Sequence, residues 1–287
     1  MPAVVIGKGL RLASMHARVL ADHATRTLAA VDLMLDASSS RLGTLLAAPQ
    51  DDAVQRMLAD VVAGQPMVRS LSIVQDGGLV QASSQPANTG RRVTPLLFLP
   101  TGDDLRVELR LATGRDLADA SLSAKPGALH HLLLLTRALP AAPGQPRLWL
   151  VATLNPEYFA TEHELMLAGP TWRSALLALD GTVLAATSNL AMEPGTRTPL
   201  ATAAGSAEFG SQEVQGLSGQ NSLSAWRLAR RYPVRVQAEL PHSVALADWR
   251  SDAERTALAA VVVSAVVAAL ALAARGQRRA REAADAE

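Results

Sequence analysis

The chain has 287 residues, carries 27 Lys and Arg against 26 Asp and Glu for a net charge of +1, and contains no cysteine. So neutral a balance excludes a general attraction to nucleic acid or acidic lipid. The missing thiols exclude disulfides, thiol catalysis and thiolate metal sites, and the length allows one large or two small domains.

Residues 1–10 hold only a short apolar run, Ala3–Ile6, before Lys8. That is too short for an export signal or a first membrane helix. The expectation is a true start further upstream that encodes such a helix. The alternative is a tail-anchored chain with its bulk in the cytosol.

Leu10–Ala48 predicts a long helix. Ala13, Ala17, Leu20, Ala24, Thr27, Val31, Met34 and Ser38 recur at alternating spacings of four and three, the geometry of a helix packed along a partner. Leu28, Leu35 and Leu42 form a second row. One row can lie on the protein's own domain and the other on a second subunit; a single amphipathic helix on its own domain is the plainer reading. Pro49 breaks the helix, and Asp51 or Asp52 caps another that runs to about Ala63.

Leu71–Ser84 reads as strand, tight Asp76-Gly77 turn, strand. Ser83–Arg92 is loop, and Leu96–Leu99 and Leu105–Leu111 are short strand or loop-edge candidates. Ala112–Gly127 has no clear pattern. Leu132–Leu139 and Leu148–Leu154 are strands joined by the turn Pro140–Pro146, and Asn155-Pro156 starts a short helix through Tyr158 and Phe159. After Gly169-Pro170 the pattern restarts: Ala175–Ser188 is again a hairpin, with Asp180 104 positions after Asp76. A repeat at that distance is one small α+β domain. Gly195–Gly219 reads as loop, Ser222–Ala229 and Val234–Leu240 as the last two strands, and Val244–Thr256 as a helix with no linker before the next segment.

That segment is Ala257–Ala274, ALAAVVVSAVVAALALAA, without a charged residue. Its eighteen residues, at about 1.5 Å each, span roughly 27 Å, enough for a bilayer core. Arg275, Arg278, Arg279 and Arg281 follow at once, which assigns the C-terminal side to the cytoplasm. A buried alanine-rich core helix is the competing reading.

LLLLTRALPAAPGQPRLWLVATLNPEYF, the repeated hairpin, RRYPVRVQAELP and the following ALADWR together resemble the extracytoplasmic double-Cache sensor region, the tandem PAS-like module of bacterial diguanylate cyclases and phosphodiesterases, histidine kinases and chemoreceptors. The resemblance covers roughly Ala13–Arg281. It implies an α+β fold: a long N-terminal helix at 1–50, a membrane-distal PAS-like domain at 51–160, a membrane-proximal one at 161–256 with its exit helix, a transmembrane helix at 257–274 and a cytoplasmic tail at 275–287. Each domain would carry an antiparallel sheet flanked by helices. The resemblance further implies a small-molecule ligand in the distal pocket and a homodimer through the N-terminal helix. No arginine followed by a Trp-Tyr pair, by which some members hold an amino acid, occurs in the distal segment.

Catalytic signals are few. His130-His131 is adjacent and points to opposite faces of a strand, and Glu162-His163-Glu164 lacks the second histidine of a zinc-protease helix. There is no G-x-S-x-G, phosphate loop or G-x-G-x-x-G. We therefore expect no enzyme, cofactor, metal site or nucleic-acid partner. Candidate ligand-binding residues are Arg91, Arg110, Arg137 and Tyr158. Arg137 interrupts an apolar strand, so its charge must meet a pocket, a partner or the sheet edge. The expected function is a membrane-anchored sensory input module of a bacterial inner membrane, its bulk periplasmic, with a separately encoded output protein as a further partner. The alternatives are a truncated or frameshifted receptor remnant lacking its output domain, and a tail-anchored cytosolic interaction domain.

Overall fold

The computed structural model describes residues 2–46, 51–99, 109–120, 130–140, 146–167, 169, 171–198, 207–229 and 231–284. Helix α1 runs Pro2–Leu46 and α2 Asp51–Val62. The first sheet has strands β1 (Val68–Gln75), β2 (Val80–Ser83), β3 (Leu109–Thr113), β4 (His131–Ala138) and β5 (Leu148–Leu154) in the order β2-β1-β5-β4-β3. Helix α3 (Pro156–Met166) leads to the second sheet, with β6 (Arg173–Ala178), β7 (Val183–Ala186), β8 (Phe209–Gln215), β9 (Asn221–Ala229) and β10 (Val234–Pro241) in the order β7-β6-β10-β9-β8. The two orders are the same, and every pairing is antiparallel. The α+β class and the repeat read from the sequence hold.

The register of that repeat differs from the sequence expectation by one. Gly78 N–H donates to Gln75 O and Gln75 N–H to Leu79 O; Gly181 and Ala178 repeat this with Ala178 O and Thr182 O. Leu71 N–H donates to Ser84 Oγ, as Ser174 N–H does to Thr187 Oγ1. Each pair is 103 positions apart, so Asp180 matches Gly77 rather than Asp76. The two aspartates do different work: Asp76 Oδ1 accepts from Trp149 Nε1 at 2.5 Å, whereas Asp180 Oδ2 accepts from Arg197 Nη2 at 2.9 Å. Matching by the Asp-Gly dipeptide was misleading because the turn needs its glycine at the left-handed position, Gly78 (φ +84) and Gly181 (φ +87), and tolerates many residues before it.

α1 begins earlier than the sequence predicts. Gly7 and Gly9 lower helix propensity, yet Gly9 packs against β9: a Cβ there would overlap the Leu223 side chain. Both apolar rows of α1, Ala13 through Ser38 and Leu28, Leu35, Leu42, are turned inward, with Met34 partly buried. Neither row is left for a second subunit; the large exposed apolar residues of α1 are Val4, Leu12, Met15, Val19 and Leu33, a third row.

One core cluster joins α1, α2, α3 and the helix-facing sides of both sheets, with Leu71, Ile73, Leu133, Leu135 and Leu150 from the first and Leu176, Ala225, Val234 and Val236 from the second. The opposite face of the first sheet has its own core around Val74, Leu132, Leu134, Trp149 and Val151. This is why Leu132–Leu135 is an unbroken apolar run: alternate residues fill two cores.

β8 lies in the stretch that the sequence predicts as loop. Its residues, FGSQEVQ, are an edge strand exposed at alternate positions, so it carries no apolar signal. Leu96–Leu99 is not a strand but part of a 3-10 turn, Pro95–Leu97; residues 105–108 lie outside the described residues. After β10, a single turn, α4 (His242–Ala245), precedes α5 (Ala247–Ala284), with Leu246 between them, so the exit helix is interrupted once and then runs unbroken. Among the described residues one helix is long and apolar enough to cross a membrane, over Ala253–Leu270, and none of that window is buried. The buried-core-helix reading is thereby excluded.

Candidate functional site

A cavity of about 650 Å³ opens at one end of the first sheet. β1, the segment after β2, the loop after β3 and the start of α3 converge there. Arg69 ties three of its walls together. Its Nη1 donates to Arg115 O (3.0 Å) and His131 O (2.8 Å), and its Nη2 to Asn155 Oδ1 (2.6 Å). All three acceptors are neutral, so the guanidinium keeps its positive charge in the cavity wall. Burial lowers its proton affinity, and Glu157 and Asp116 pull the other way.

The loop after β3 is held by polar side chains instead of apolar packing. Asp116 Oδ1 accepts from Ser70 Oγ (2.6 Å), Leu117 N–H (2.7 Å) and Thr153 Oγ1 (3.1 Å). Asp119 caps back onto Asp116 N–H at 2.9 Å. Asn88, almost fully buried, accepts from Ala118 N–H at 2.8 Å and donates to Ser70 Oγ and Ser83 Oγ at 3.3 Å. A buried network with its members satisfied fixes one geometry. The result is a preformed cleft with arginines (Arg69, Arg115) and carboxylates (Asp116, Asp119, Glu157) in its lining.

The second repeat closes the same place. The cross-strand pair Ser70–Thr153 is replaced by Arg173–Glu239. The long connection at 114–130 becomes a tight turn at 216–220. Glu239, with no exposed surface, accepts from Leu217 N–H at 2.8 Å, and Arg173 Nη1 donates to Ser218 Oγ at 2.9 Å. Burial pushes the Glu239 carboxyl up, opposed by Leu217 N–H, Arg173 and Ser218. Trp172 stands at the position equivalent to Arg69, buried and 4.5 Å from the His16 ring. What is left beside it is a groove of about 310 Å³.

No family model matches the sequence, and no curated protein matches it. Solved structures do match. The extracellular domain assigned to the histidine kinase rpHK1S-Z16 superposes with a TM-score of 0.62 at 21% identity, over 79% of this chain and 92% of that one. The periplasmic sensory domain of the Campylobacter jejuni chemoreceptor Tlp1 gives 0.61 at 11%, over 84% and 98%. The domain of the Pseudomonas aeruginosa amino-acid chemoreceptor PctC, solved with GABA, gives 0.52 at 14%, over 79% and 96%. The chain shares the fold of these solved domains, the one that the double-Cache resemblance implies.

Within that fold, the four residues expected at a ligand do not converge. Arg137 projects toward α1, where it bonds Asp32 Oδ1 at 2.7 Å and also pairs with Asp36. Tyr158 lies on α3, its ring 6.2 Å from the His23 ring. Arg110 donates to the Leu96 carbonyl, and Arg91 is exposed. None of the four lines the cavity. Arg69 was missed although the reasoning applied to Arg137 fits it too: a charge opening an apolar strand. The expected strand began at Leu71 and cut it out. Asp116 and Asp119 carry a legible signal, the N-cap and N3 acids of a capping box. Among the described residues no group of three or more His, Asp or Glu could hold a metal.

Proposed function

We propose that this chain is the membrane-anchored extracytoplasmic input module of a bacterial receptor, and that the cavity of its first sheet binds a small zwitterionic solute of the amino-acid class. The observation that carries the reading is the asymmetry between repeats: the first keeps an open cleft with both signs of charge, and the second plugs it with Glu239. An arginine pairs with a carboxylate and an aspartate with an ammonium, which is what a zwitterion presents. The ligands in solved chains of this fold, isoleucine in Tlp3 and GABA in PctC, support that class. The contacts would be Arg69, Arg115, Asp116 and Asn155.

The same reading divides the chain into the distal domain (51–160), the proximal domain (161–256), a membrane helix at 257–274 and a cytoplasmic tail at 275–287. The arginines after the apolar helix support that orientation. A second copy would pack on the exposed row Leu12, Met15, Val19 and Leu33. A site built of groups that bind charge supports a receptor role.

The test is a thermal-shift screen of the full chain in detergent against amino acids, GABA, dicarboxylates and polyamines. A zwitterion should raise Tm in the wild type and raise it less at the same concentration in Arg115→Ala. No shift with any compound overturns the ligand reading.

A further inference from the structure

His23 on α1 and His163 on α3 face each other with ring centroids 6.4 Å apart and planes at 72°. One nitrogen of each is engaged: His163 Nδ1 lies 2.9 Å from Ser174 Oγ, and His23 Nε2 3.4 Å from Thr27 Oγ1. The other two, His23 Nδ1 and His163 Nε2, are buried without a hydrogen-bond partner. A charge added at either would sit in apolar surroundings, which disfavours the proton.

Charges arrive from only some of the packed elements. On α1, Arg26 opposes a proton on His23; on α3, Glu162 favours it. Tyr158, also on α3, is kept neutral by burial, which raises its pKa. His16 packs at a tilt against Trp172 and loses proton affinity by burial. β6 brings Ser174, while its Arg173 bonds Ser218 and Gln220. β7, Val183–Ala186, has no titratable residue. On β4, Arg137 is tied to Asp32 and Asp36, and His131 loses proton affinity by burial, with Glu193 opposing.

We propose that the His23–His163 contact is a proton-sensitive latch, which holds α3 against α1 while both rings are neutral and releases it in acid. Desolvation first, and His23 second, lower the His163 pKa to about 3, so a proton enters mainly by opening the joint. The proposal does not depend on the ligand reading. It places the acid-labile contact on the one helix that connects the two sheets and whose first turn also lines the cavity.

Hydrogen exchange of the full chain in detergent, corrected for the intrinsic effect of pH, tests it. Between pH 7.5 and 5.5, exchange in α3 should rise at least tenfold in the wild type and less than twofold in the His23→Gln, His163→Gln double variant. An equal rise in both, or none in the wild type, overturns the latch. If the double variant does not fold, imidazole NMR of the wild type decides. A His163 ring still neutral at pH 5.5 beside faster α3 exchange supports the latch; a ring titrating near 6.5 with α3 unchanged overturns it.

Discussion

Asp32 on α1 accepts a 2.7 Å hydrogen bond from Arg137 of the first sheet through Oδ1, and its other oxygen accepts one of 2.7 Å from Arg231, next to β10 of the second. A single carboxylate thus fastens both sheets to one helix. Its side chain is only 7% exposed. Asp32→Ala removes both bonds, while Arg137 keeps Asp36 and Arg231 stays in solvent, and should cost about 2 kcal/mol, a fall in Tm of roughly 4–8 °C. Arg231→Ala, at an exposed end of the pair, should cost under about 1 kcal/mol. Denaturant melts of the two variants check the ratio.

Gly78 and Gly90 both have positive φ, +84 and +77, but differ in surroundings. A Cβ on Gly78 would overlap the Val93 carbonyl oxygen, whereas Gly90 has open space. Gly90→Ala should cost about 1–2 kcal/mol for the left-handed backbone alone. Gly78→Ala should cost about 3 kcal/mol or more, because backbone must also move. Equal costs would show that the β1–β2 turn yields freely.

Arg69 and Arg115 separate holding from binding. Arg69→Met removes three hydrogen bonds that join three segments and should lower stability by about 2–3 kcal/mol even without ligand. Arg115→Ala, from an exposed side chain, should leave the unliganded Tm within about 2 °C and weaken a carboxylate ligand about tenfold. Calorimetric titration with the best compound of the screen measures both.

Glu239 gives a pH dependence of definite sign. Its folded-state pKa is raised by burial, so the folded state holds the proton more tightly than the unfolded chain. Stability from this group therefore rises as pH falls through the raised pKa to the ordinary carboxylate value, and is lost as pH rises back through the raised pKa. Glu239→Gln mimics the protonated acid and still accepts from Leu217 N–H. It should be more stable than the wild type at pH 7, with the gain shrinking toward pH 4. A constant gain, or a loss at pH 7, would contradict the assignment.

Much of the fold was legible because it is written in local chemistry. The runs at Leu132–Leu139 and Leu148–Leu154, the glycine turns and the Asn155 cap each declare an element to their neighbours. β8 was illegible because an edge strand buries little, and the start of α1 because two glycines argue against helix until Leu223 is seen beside Gly9.

By itself the sequence determined that two copies of one small α+β unit follow a long helix and precede an apolar one, since apolar periodicity and turn residues act over a few positions. Only the tertiary structure decided where each charge goes. Arg137 and Arg69 look alike in sequence, each a cation in an apolar strand, yet one closes on Asp32 and the other walls a cleft. Which occurs depends on what the fold brings opposite the side chain: α1 for Arg137, and the loop after β3 for Arg69. Those partners lie 105 and 46 positions away, beyond the reach of any local pattern.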